Sequence, residues 1–264
     1  MMKIIVCIKQ VPDTTEVEID LETGLLVRTG IPFRINPDDQ SGIAAALALR
    51  RQIKGSTVTA VSMGPPQAEM ALREALSMGC DAAVLISDRR FAGSDTLATS
   101  TTIAAAIRKI GYDLVIAGRQ SIDGDTGQVG PQIAEHLGIP HVSCVEEITP
   151  EGGSLVVLRQ FEDSIHKLRV KLPCLLTAIQ ELAAPGYMTV GGIVEAADKE
   201  VKVMDFDALS DLLDPNSIGL AGSPTQVLRS YTKEARSQGA VLKGLTPDEA
   251  VEAIMAQLHE KHMI

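Results

Sequence analysis

A polar, glycine-rich segment with the sequence GRQSIDGDTGQVG occupies residues 118–130, between a short apolar run and a helix-like stretch. Its glycines let the backbone approach a ligand closely. The segment leads into a helix N-terminus at Pro131, where free backbone N–H groups attract anions such as phosphate. A segment of this length without regular structure in a compact domain is usually functional. The pattern therefore predicts a loop that binds a phosphate-containing ligand.

Two acidic side chains, Asp123 and Asp125, sit within this loop and do not suit a phosphate pocket. They fit three other roles: accepting hydrogen bonds from ribose hydroxyls, capping the following helix, or binding a metal. An Asp-x-Asp pair is weak evidence for a metal by itself. No metal site is predicted here.

A second polar stretch, SDRRFAGSDTLATSTT at residues 87–102, contains Asp95 at a predicted helix start. Thr96, Thr99 and Ser100 follow Asp95 in the first turns. Ordinary capping with a polar helix face explains these residues. Hydroxyl and N–H donors for a diphosphate explain them equally well, so both interpretations stay open at this point.

Sequence signatures of common catalytic and nucleotide sites are missing from the chain. It has no G-x-G-x-x-G after the first strand, no P-loop, no G-x-S-x-G elbow and no H-E-x-x-H. His136 and His141 do not have the spacing of metal ligands, and capping or surface roles are expected for them. Nothing pairs a nucleophile with a base. The chemistry is therefore expected to belong to a cofactor that the protein positions.

The elements that must position these loops alternate between short β-branched runs and longer Ala- and Leu-rich helices. Asn36 is predicted to cap the first helix, with Pro37 at its first position. Strands are predicted at Lys3–Lys9, Thr57–Ser62, Ala83–Ile86, Asp113–Ala117 and His141–Val145. This order predicts an α/β fold with a doubly wound, mostly parallel sheet. Ligands of such sheets bind at the carboxyl ends of the strands, where both polar segments begin.

The rest of the chain departs from this alternation. Residues 16–29 read as a β-hairpin, and residues 154–178 as an antiparallel ribbon added to the sheet. Residues 202–215 are charged and helix-biased, and residues 246–262 form an amphipathic helix with a capping start. We expect residues 1–200 to form the ligand-binding domain and residues 201–264 to form an arm for a partner. Folding of the last helix onto its own domain is the open alternative.

The composition excludes several classes of function. The chain has 264 residues and a formal charge of −10, and its aromatic content is 3% with no Trp. A basic nucleic-acid surface and base-stacking platforms are therefore not expected. No apolar run approaches the roughly 18 residues of a membrane-spanning helix. The N-terminus lacks a signal-peptide pattern, and the four scattered cysteines resemble small buried side chains, so we expect a cytoplasmic protein without membrane insertion.

The sequence resembles the beta (small) subunits of electron-transfer flavoproteins. The resemblance runs from KIIVCIKQVPDT through INPDD, the block AVSMGPPQAEM, the 118–130 loop, KLPCLLTA and PGYMTVGGIVEAADK to GLAGSPTQV. It implies a Rossmann-like, adenine-nucleotide-binding fold whose C-terminal arm wraps around an alpha subunit. The cofactor-binding residues that it implies are Cys7, Asn36, Asp38, Ser62, Met63, Gly64, Asp95, Thr96, Thr99, Gly118, Arg119, Gln120, Ser121, Asp123, Gly124, Asp125, Thr126, Gly127, Gln128, Val129 and Gly130.

The stretch SDRRFAGSDTLATS followed by IDGDTGQVGP is similar to the bifurcating subgroup of this family, which holds a second FAD in the beta subunit. The resemblance then implies NADH as electron donor, and ferredoxin and a flavin-dependent dehydrogenase as acceptors. A non-bifurcating carrier with AMP in the same pocket is the alternative, and a nucleotide-sensing module of the universal-stress type is an alternative of another class.

One segment corresponds to the loop with which family members dock on a dehydrogenase. The residues implied for partner recognition are Pro185, Tyr187, Met188 and Ile193. This chain has Gly186 where the family commonly has Arg or Lys, so its dehydrogenase contacts are expected to differ. In the ribbon, Asp163 and Ser164 replace the family's Gly-Gly pair, so the turn of the ribbon is expected to differ from that of the family.

Overall fold

A large, mostly parallel sheet organises the chain in a computed structural model that describes residues 1–13, 32–227, 239 and 241–264. Among those residues, nine strands form this sheet. They are β1 (Lys3–Cys7), β4 (Thr57–Met63), β5 (Ala82–Ile86), β6 (Leu114–Gly118), β7 (His141–Glu151), β8 (Ser154–Gln160), β9 (Ile165–Lys171), β10 (Cys174–Ala178) and β11 (Val201–Met204). Strands β2 (Gln10–Pro12) and β3 (Phe33–Ile35) form a separate antiparallel pair. The predicted α/β fold is confirmed.

Helices cover both faces of the parallel part of the sheet. The helices described between residues 32 and 227 are α1 (Pro37–Gln52), α2 (Glu69–Met78), α3 (Thr96–Ile110), α4 (Val129–Leu137), α5 (Val190–Asp198) and α6 (Phe206–Leu209). A further helix, α7 (Pro247–Glu260), belongs to the C-terminal segment. Ile43 and Leu47 of α1 belong to the apolar core on one face, and Ile103 and Ile107 of α3 to the core on the other. Strand β1 lies between the two cores, which explains its uninterrupted apolar sequence.

The strand order places a topological switch point beside β1. The order is β11-β5-β4-β1-β6-β10-β7-β8-β9. The chain runs from β1 outward to β4 and β5, and then crosses to β6 on the opposite side of β1. A crevice opens at such a point, where the loops after two neighbouring parallel strands diverge. The segment after β1 and the 118–130 loop after β6 therefore border the same crevice.

The helix ends follow the glycines of the sequence. Helix α2 ends at Gly79, whose φ of 118° lies in the left-handed region, and α4 ends at Gly138 with φ 67°. Glycine takes this conformation without a steric penalty. These stop signals are local, because each depends on the conformational freedom of a single residue.

An antiparallel ribbon is confirmed, but its predicted bounds of 154–178 are partly wrong, because Cys174–Ala178 (β10) pairs in parallel with β6 and β7 inside the sheet. Strand β7 continues to Glu151 rather than ending at Val145, and it pairs with β8, which pairs with β9. The prediction of a helical stretch at residues 202–215 is largely wrong. Strand β11 pairs in parallel with β5, and α6 is a single turn. The edge of β5 is open to Val201–Met204, and the two valines of this segment favour the strand conformation. The predicted hairpin at residues 16–29 lies outside the described residues.

Contacts between residues divide the chain into two units. Residues 1–13 and 32–227 belong to the first unit, and residues 239 and 241–264 to the second. In the second unit, α7 begins with the predicted capping box: Thr246 accepts a hydrogen bond from the Glu249 N–H, and the Glu249 side chain accepts one from the Thr246 N–H. None of the helices that the structure describes is long and apolar enough to cross a membrane. The arm assigned to residues 201–264 stays a prediction.

Candidate functional site

The Asp39 carboxylate joins the two strand ends that border the crevice. Its Oδ2 atom accepts a hydrogen bond from the Lys9 N–H at 2.8 Å, and its Oδ1 atom accepts one from the Gly118 N–H at 2.9 Å. A Cβ atom at Gly118 would overlap Asp39 Oδ1 and lie 3.0 Å from the Asp38 Cβ. Position 118 therefore requires glycine because α1 approaches the end of β6 so closely.

The Asn36 side chain holds the 118–130 loop instead of capping α1. Its Nδ2 group donates to the Gln120 carbonyl at 2.9 Å, and its Oδ1 atom accepts from the Ile122 N–H at 3.1 Å. Asn36 occupies the N-cap position, but among the described residues its side chain makes no capping bond. The predicted cap is therefore wrong: the distant loop engages the Asn36 side chain, and the Asp39 N–H donates to the Asn36 main-chain carbonyl instead.

Burial governs the two acidic side chains at the start of α1. Burial raises the pKa of Asp39 to about 7, although hydrogen bonds from the Lys9 and Gly118 N–H groups and the Asn36 side chain oppose the rise. Burial also raises the pKa of Asp38, and the nearby Arg119 guanidinium opposes it. Arg119 Nε lies 3.7 Å from the Asp38 carboxylate. These carboxyls fasten the loop and α1 together at the floor of the crevice.

The acidic residues of the loop are paired with donors from the protein itself. Lys9 Nζ lies 2.7 Å from Asp123 Oδ1 and 3.2 Å from Ser121 Oγ. Burial would raise the pKa of Asp123, but the hydrogen bond and charge of Lys9 bring the net shift below the ordinary value. The Gln120 amide donates to Asp125 at 3.1 Å. This pairing reduces the repulsion that two loop carboxylates would exert on an anionic ligand.

The N-termini of α3 and α4 differ in how their free N–H groups are used. Asp95 caps α3 and accepts from the Leu97 N–H at 2.9 Å and the Ala98 N–H at 3.1 Å. In the described structure, no side chain caps α4, whose N-cap residue is Gln128. The first N–H groups of α4 have no partner within their own helix. An anion in the crevice therefore finds free donors at α4.

The loop reaches α4 through backbone conformations that favour small residues. Gly127 has φ 62° and Asp125 has φ 48°, both in the left-handed region. Gly130 has a packing reason as well: a Cβ atom there would lie 2.8 Å from Thr177 Cγ2 on β10. The glycines thus let the loop turn and let α4 lie close to the sheet.

The other predicted residues lie at neighbouring strand ends or on the two helices. Ser62, at the end of β4, is 2% exposed, and its hydroxyl has no partner among the described residues. Cys7, at the end of β1, is buried, and burial raises the pKa of its thiol to about 12. Met63 and Gly64 are partly exposed beside them. Thr99 lies in the first turn of α3, where its N–H donates to the Asp95 carbonyl.

The loop's predicted contact residues have mostly exposed side chains. The exposed positions include Arg119, Asp123, Gly124, Asp125, Thr126 and Gln128, and Ser121 and Val129 are partly exposed. Thr96 Oγ1 donates to Gln128 Oε1 at 2.9 Å, which joins the second polar segment to the loop. The structure therefore brings the two polar segments together at one edge of the sheet, as predicted from the strand order.

For two further residues of the crevice, Lys9 and Asp39, the sequence indicated a place near the site but not the partners of their side chains. The Asp-Asp pair after Pro37 contained a signal for Asp39, because a carboxylate in a tightly packed first turn needs a partner. Lys9 carried a weaker signal, as the cation that directly follows the first strand. Asp39 bonds to Gly118, 79 residues away in sequence, and Lys9 bonds to Asp123, 114 residues away.

The predicted partner-recognition residues form an apolar surface beside α5. The exposed fraction is 102% for Tyr187, 44% for Met188 and 49% for Ile193. Pro185 is exposed as well. Thr189 caps α5 by accepting from the Gly192 N–H, which fixes the chain between Met188 and Ile193. Several adjacent exposed apolar residues are typical of a protein-binding surface.

Comparison with known proteins gives consistent matches along the whole chain. The family described as electron transfer flavoprotein domain matches residues 23–209. An electron transfer flavoprotein subunit beta of Clostridium acetobutylicum is 52% identical over 263 residues, and the match covers 100% of both chains. Caffeyl-CoA reductase-Etf complex subunit CarD of Acetobacterium woodii is 48% identical, with the same coverage. Acryloyl-CoA reductase electron transfer subunit gamma of Anaerotignum propionicum is 47% identical, again over 100% of both chains.

Proposed function

The chain belongs to the electron transfer flavoprotein family, with named beta subunits among its relatives, and from this premise we propose a specific function for it. It binds FAD in the crevice between β1 and β6. Together with an alpha subunit in the cytoplasm, it takes electrons from NADH and divides them between ferredoxin and a flavin-dependent dehydrogenase.

The free N-terminus of α4 supports this proposal most directly. It lies at the end of the 118–130 loop, beside the switch point of the sheet, and the described residues include no side chain that caps it. Backbone N–H groups and the positive end of the helix dipole favour a diphosphate there. Gly127 and Thr126 are small and leave room for it.

The donor set of the crevice suits an adenine nucleotide. The Ser62 hydroxyl is buried without a partner, so a polar ligand group beside it would satisfy a hydrogen bond that the protein leaves open. The paired carboxylates Asp123 and Asp125 face donors of their own. Ribose hydroxyls can join those pairs without bringing in a new charge.

A bound flavin supplies the hydride and one-electron chemistry, and the residues of this chain position it. The N–H groups of α4 hold the phosphates. Asn36 and Asp39 hold the loop against β1 and β6, so that the donors stay in place. Among the residues that the structure describes, the crevice pairs no nucleophile with a base, and we assign no catalytic residue.

Two surfaces are proposed for protein partners. The exposed residues Tyr187, Met188 and Ile193 would dock the dehydrogenase. Residues 201–264 would supply the contact with the alpha subunit, and α7 offers Val251 and Ile254 as exposed apolar side chains. The names of the relatives from A. woodii and An. propionicum place those proteins in reductase systems, which supports a dehydrogenase partner here.

Counting the nucleotides in the purified complex with the alpha subunit tests this proposal. Two FAD per heterodimer are expected, together with bleaching of flavin absorbance when NADH is added without oxygen. One FAD with one AMP per heterodimer, and no bleaching, would show that the complex is a non-bifurcating electron carrier. A chain that stays monomeric and binds ATP alone would point to a nucleotide-sensing module.

A further inference from the structure

The Asp95 carboxylate binds two distant segments of the chain at once. Its Oδ1 atom caps α3, and its Oδ2 atom accepts a hydrogen bond from the Thr225 N–H at 3.0 Å. The Asp95 N–H in turn donates to Ser223 Oγ at 2.8 Å. Both oxygens are thus engaged by main-chain donors. We call these bonds of Asp95 with Ser223 and Thr225 the Asp95 latch.

The segment that carries Ser223 fits tightly on the turn before α3. Ser223 is 6% exposed, and its hydroxyl donates to the Gly219 carbonyl at 2.7 Å. A Cβ atom at Gly219 would overlap the Arg90 carbonyl, and one at Gly222 would overlap the backbone of Ser217. The close packing at Gly219 and Gly222 and the buried Ser223 hydroxyl therefore fix the position of this segment against the turn before α3.

Arg90 strengthens the same attachment from a second side. Its guanidinium bonds to Asp88 at 2.6 Å and to Asp207 at 2.9 Å, and it stacks on the Phe206 ring at 4.4 Å. Asp88 also accepts from the Phe206 N–H. The chain between β11 and Thr225 is therefore fastened to the turn before α3 at several points.

Polar side chains continue from Asp95 along the contact between α3 and α4. Thr96 bonds to Gln128 at 2.9 Å, and Ser100 bonds to Gln132 at 3.2 Å, one helical turn further. His136, one turn beyond Gln132, lies 3.2 Å from the Ser100 hydroxyl. This ladder, which we call the α3–α4 seam, is a set of directional bonds that depends on the position of α3 along its axis. A shift of α3 would therefore move Gln128 and the start of α4.

We propose that Ser223 and Thr225 are positioning residues for the nucleotide site, acting through Asp95, the α3–α4 seam and the start of α4. The proposal rests on the proposed function, because it concerns the same loop. It assigns Asp95 to the latch and not to direct contact with the ligand. Under this proposal, nucleotide binding in the crevice depends on the position of residues 223–225, which immediately precede the C-terminal segment.

The serine offers a sharp test in the complete complex with the alpha subunit. Ser223→Ala removes the acceptor of the Asp95 N–H, whereas Ser223→Thr keeps a hydroxyl. Ser217→Ala is the matched control, since Ser217 donates to a carbonyl in the same segment without reaching Asp95. We expect Ser223→Ala to release FAD roughly three- to tenfold faster, with recovery in Ser223→Thr and no change in Ser217→Ala.

Hydrogen exchange provides a second measurement that does not depend on the nucleotide. In nucleotide-free complex, Ser223→Ala should speed hydrogen exchange of the backbone amides of Gln128, Val129, Gly130 and Gln132 and leave those of β1 and β6 unchanged. If exchange at Gln128, Val129, Gly130 and Gln132 matches the wild type, the latch does not position α4 and the inference is overturned. If exchange rises but the wild-type complex never holds a nucleotide in this chain, the proposed function fails while the latch stands.

Asp95→Asn separates the latch from a direct ligand contact. The amide oxygen can still cap α3, but an NH2 group then faces the Thr225 N–H and cannot accept from it. We expect Asp95→Asn to release FAD as fast as Ser223→Ala does, and the double variant to add little. If Asp95→Asn speeds FAD release strongly while Ser223→Ala leaves it unchanged, Asp95 contacts the ligand itself and the inference is overturned.

Discussion

The Lys9 ammonium group lies 2.7 Å from the Asp123 carboxylate, across the crevice between the ends of β1 and β6. The two residues are 114 positions apart in sequence. Their pairing explains how a loop with two carboxylates can border a site for an anionic ligand. Without the lysine, Asp123 would bring an unbalanced negative charge toward the phosphates.

Replacing Lys9 by Met should weaken nucleotide binding more than it weakens the fold. The pair is partly exposed, so its loss is expected to lower the free energy of unfolding by no more than about 1 kcal/mol. The uncovered Asp123 should reduce FAD affinity about tenfold, and Lys9→Met with Asp123→Asn should recover much of it. Nucleotide content and urea unfolding measure the two effects.

Arg169→Met serves as the matched control for that experiment. Arg169 pairs with Glu151 at 2.8 Å and is also exposed, but this pair lies in the antiparallel ribbon, on β9 and β7. It should alter stability as little as Lys9→Met does and leave nucleotide affinity unchanged. Equal losses of affinity in the two variants would contradict a local role for Lys9.

Gly118→Ala should disrupt the floor of the crevice. The new Cβ atom would overlap the Asp39 carboxylate, and relief requires α1 or the loop to move. Overpacking of this kind costs about 1–3 kcal/mol. Gly124→Ala is the control, because the nearest atom to its Cβ would be Ser121 Oγ at 3.6 Å. Urea unfolding should separate the two variants, and similar midpoints would show that the floor accommodates the methyl group.

A bulky residue at Thr126 should empty the site while leaving the sheet intact. Thr126 is exposed in the loop, so Thr126→Trp costs little folding energy but fills the space before α4. We expect loss of the beta-subunit nucleotide with unchanged far-ultraviolet circular dichroism. Thr149→Trp, at an exposed position on β7, should keep full occupancy. Full flavin content in Thr126→Trp would contradict the assignment of the pocket.

Stability should depend on pH through Asp39. Its folded pKa of about 7 lies above the ordinary value of 3.8, so the folded state holds the proton more tightly than the unfolded state does. The contribution is present in full below about pH 4 and is lost as the pH rises to about 7. Asp39→Asn should remove this dependence, an effect of at most a few kcal/mol. Urea unfolding between pH 4.5 and 8 tests it, and parallel curves for the two proteins would refute it.

Thiol alkylation should distinguish Cys144 from the other cysteines. Cys7, Cys80 and Cys174 are buried, and burial raises the pKa of each thiol to about 12. Thiolate is the reactive form, so these three should react slowly in the folded protein. Cys144 is partly exposed and should be modified first by iodoacetamide, as followed by peptide mass spectrometry. Early modification of Cys174 would show that the sheet opens locally.

Much of the parallel sheet could be predicted because its signals are local. Uninterrupted apolar runs predicted β1 and β6, and Asp95 in its polar stretch predicted the start of α3. The order of these elements then placed the 118–130 loop at the carboxyl edge of the sheet. Residues 202–215 were read as helix-biased from their charged composition, but the open edge of β5 and the two valines of Val201–Met204 favour a strand.

The sequence by itself determined the alternation of strands and helices, the binding loop and the resemblance to a flavoprotein subunit, because each depends on residues that are close together in the sequence. Only the tertiary structure decided what the polar side chains of the site do. Asn36 turned from its helix to the loop, and Asp95 engaged Thr225, 130 residues away. A carboxylate or amide accepts from whichever donor packing brings within about 3 Å, and that choice depends on the whole fold.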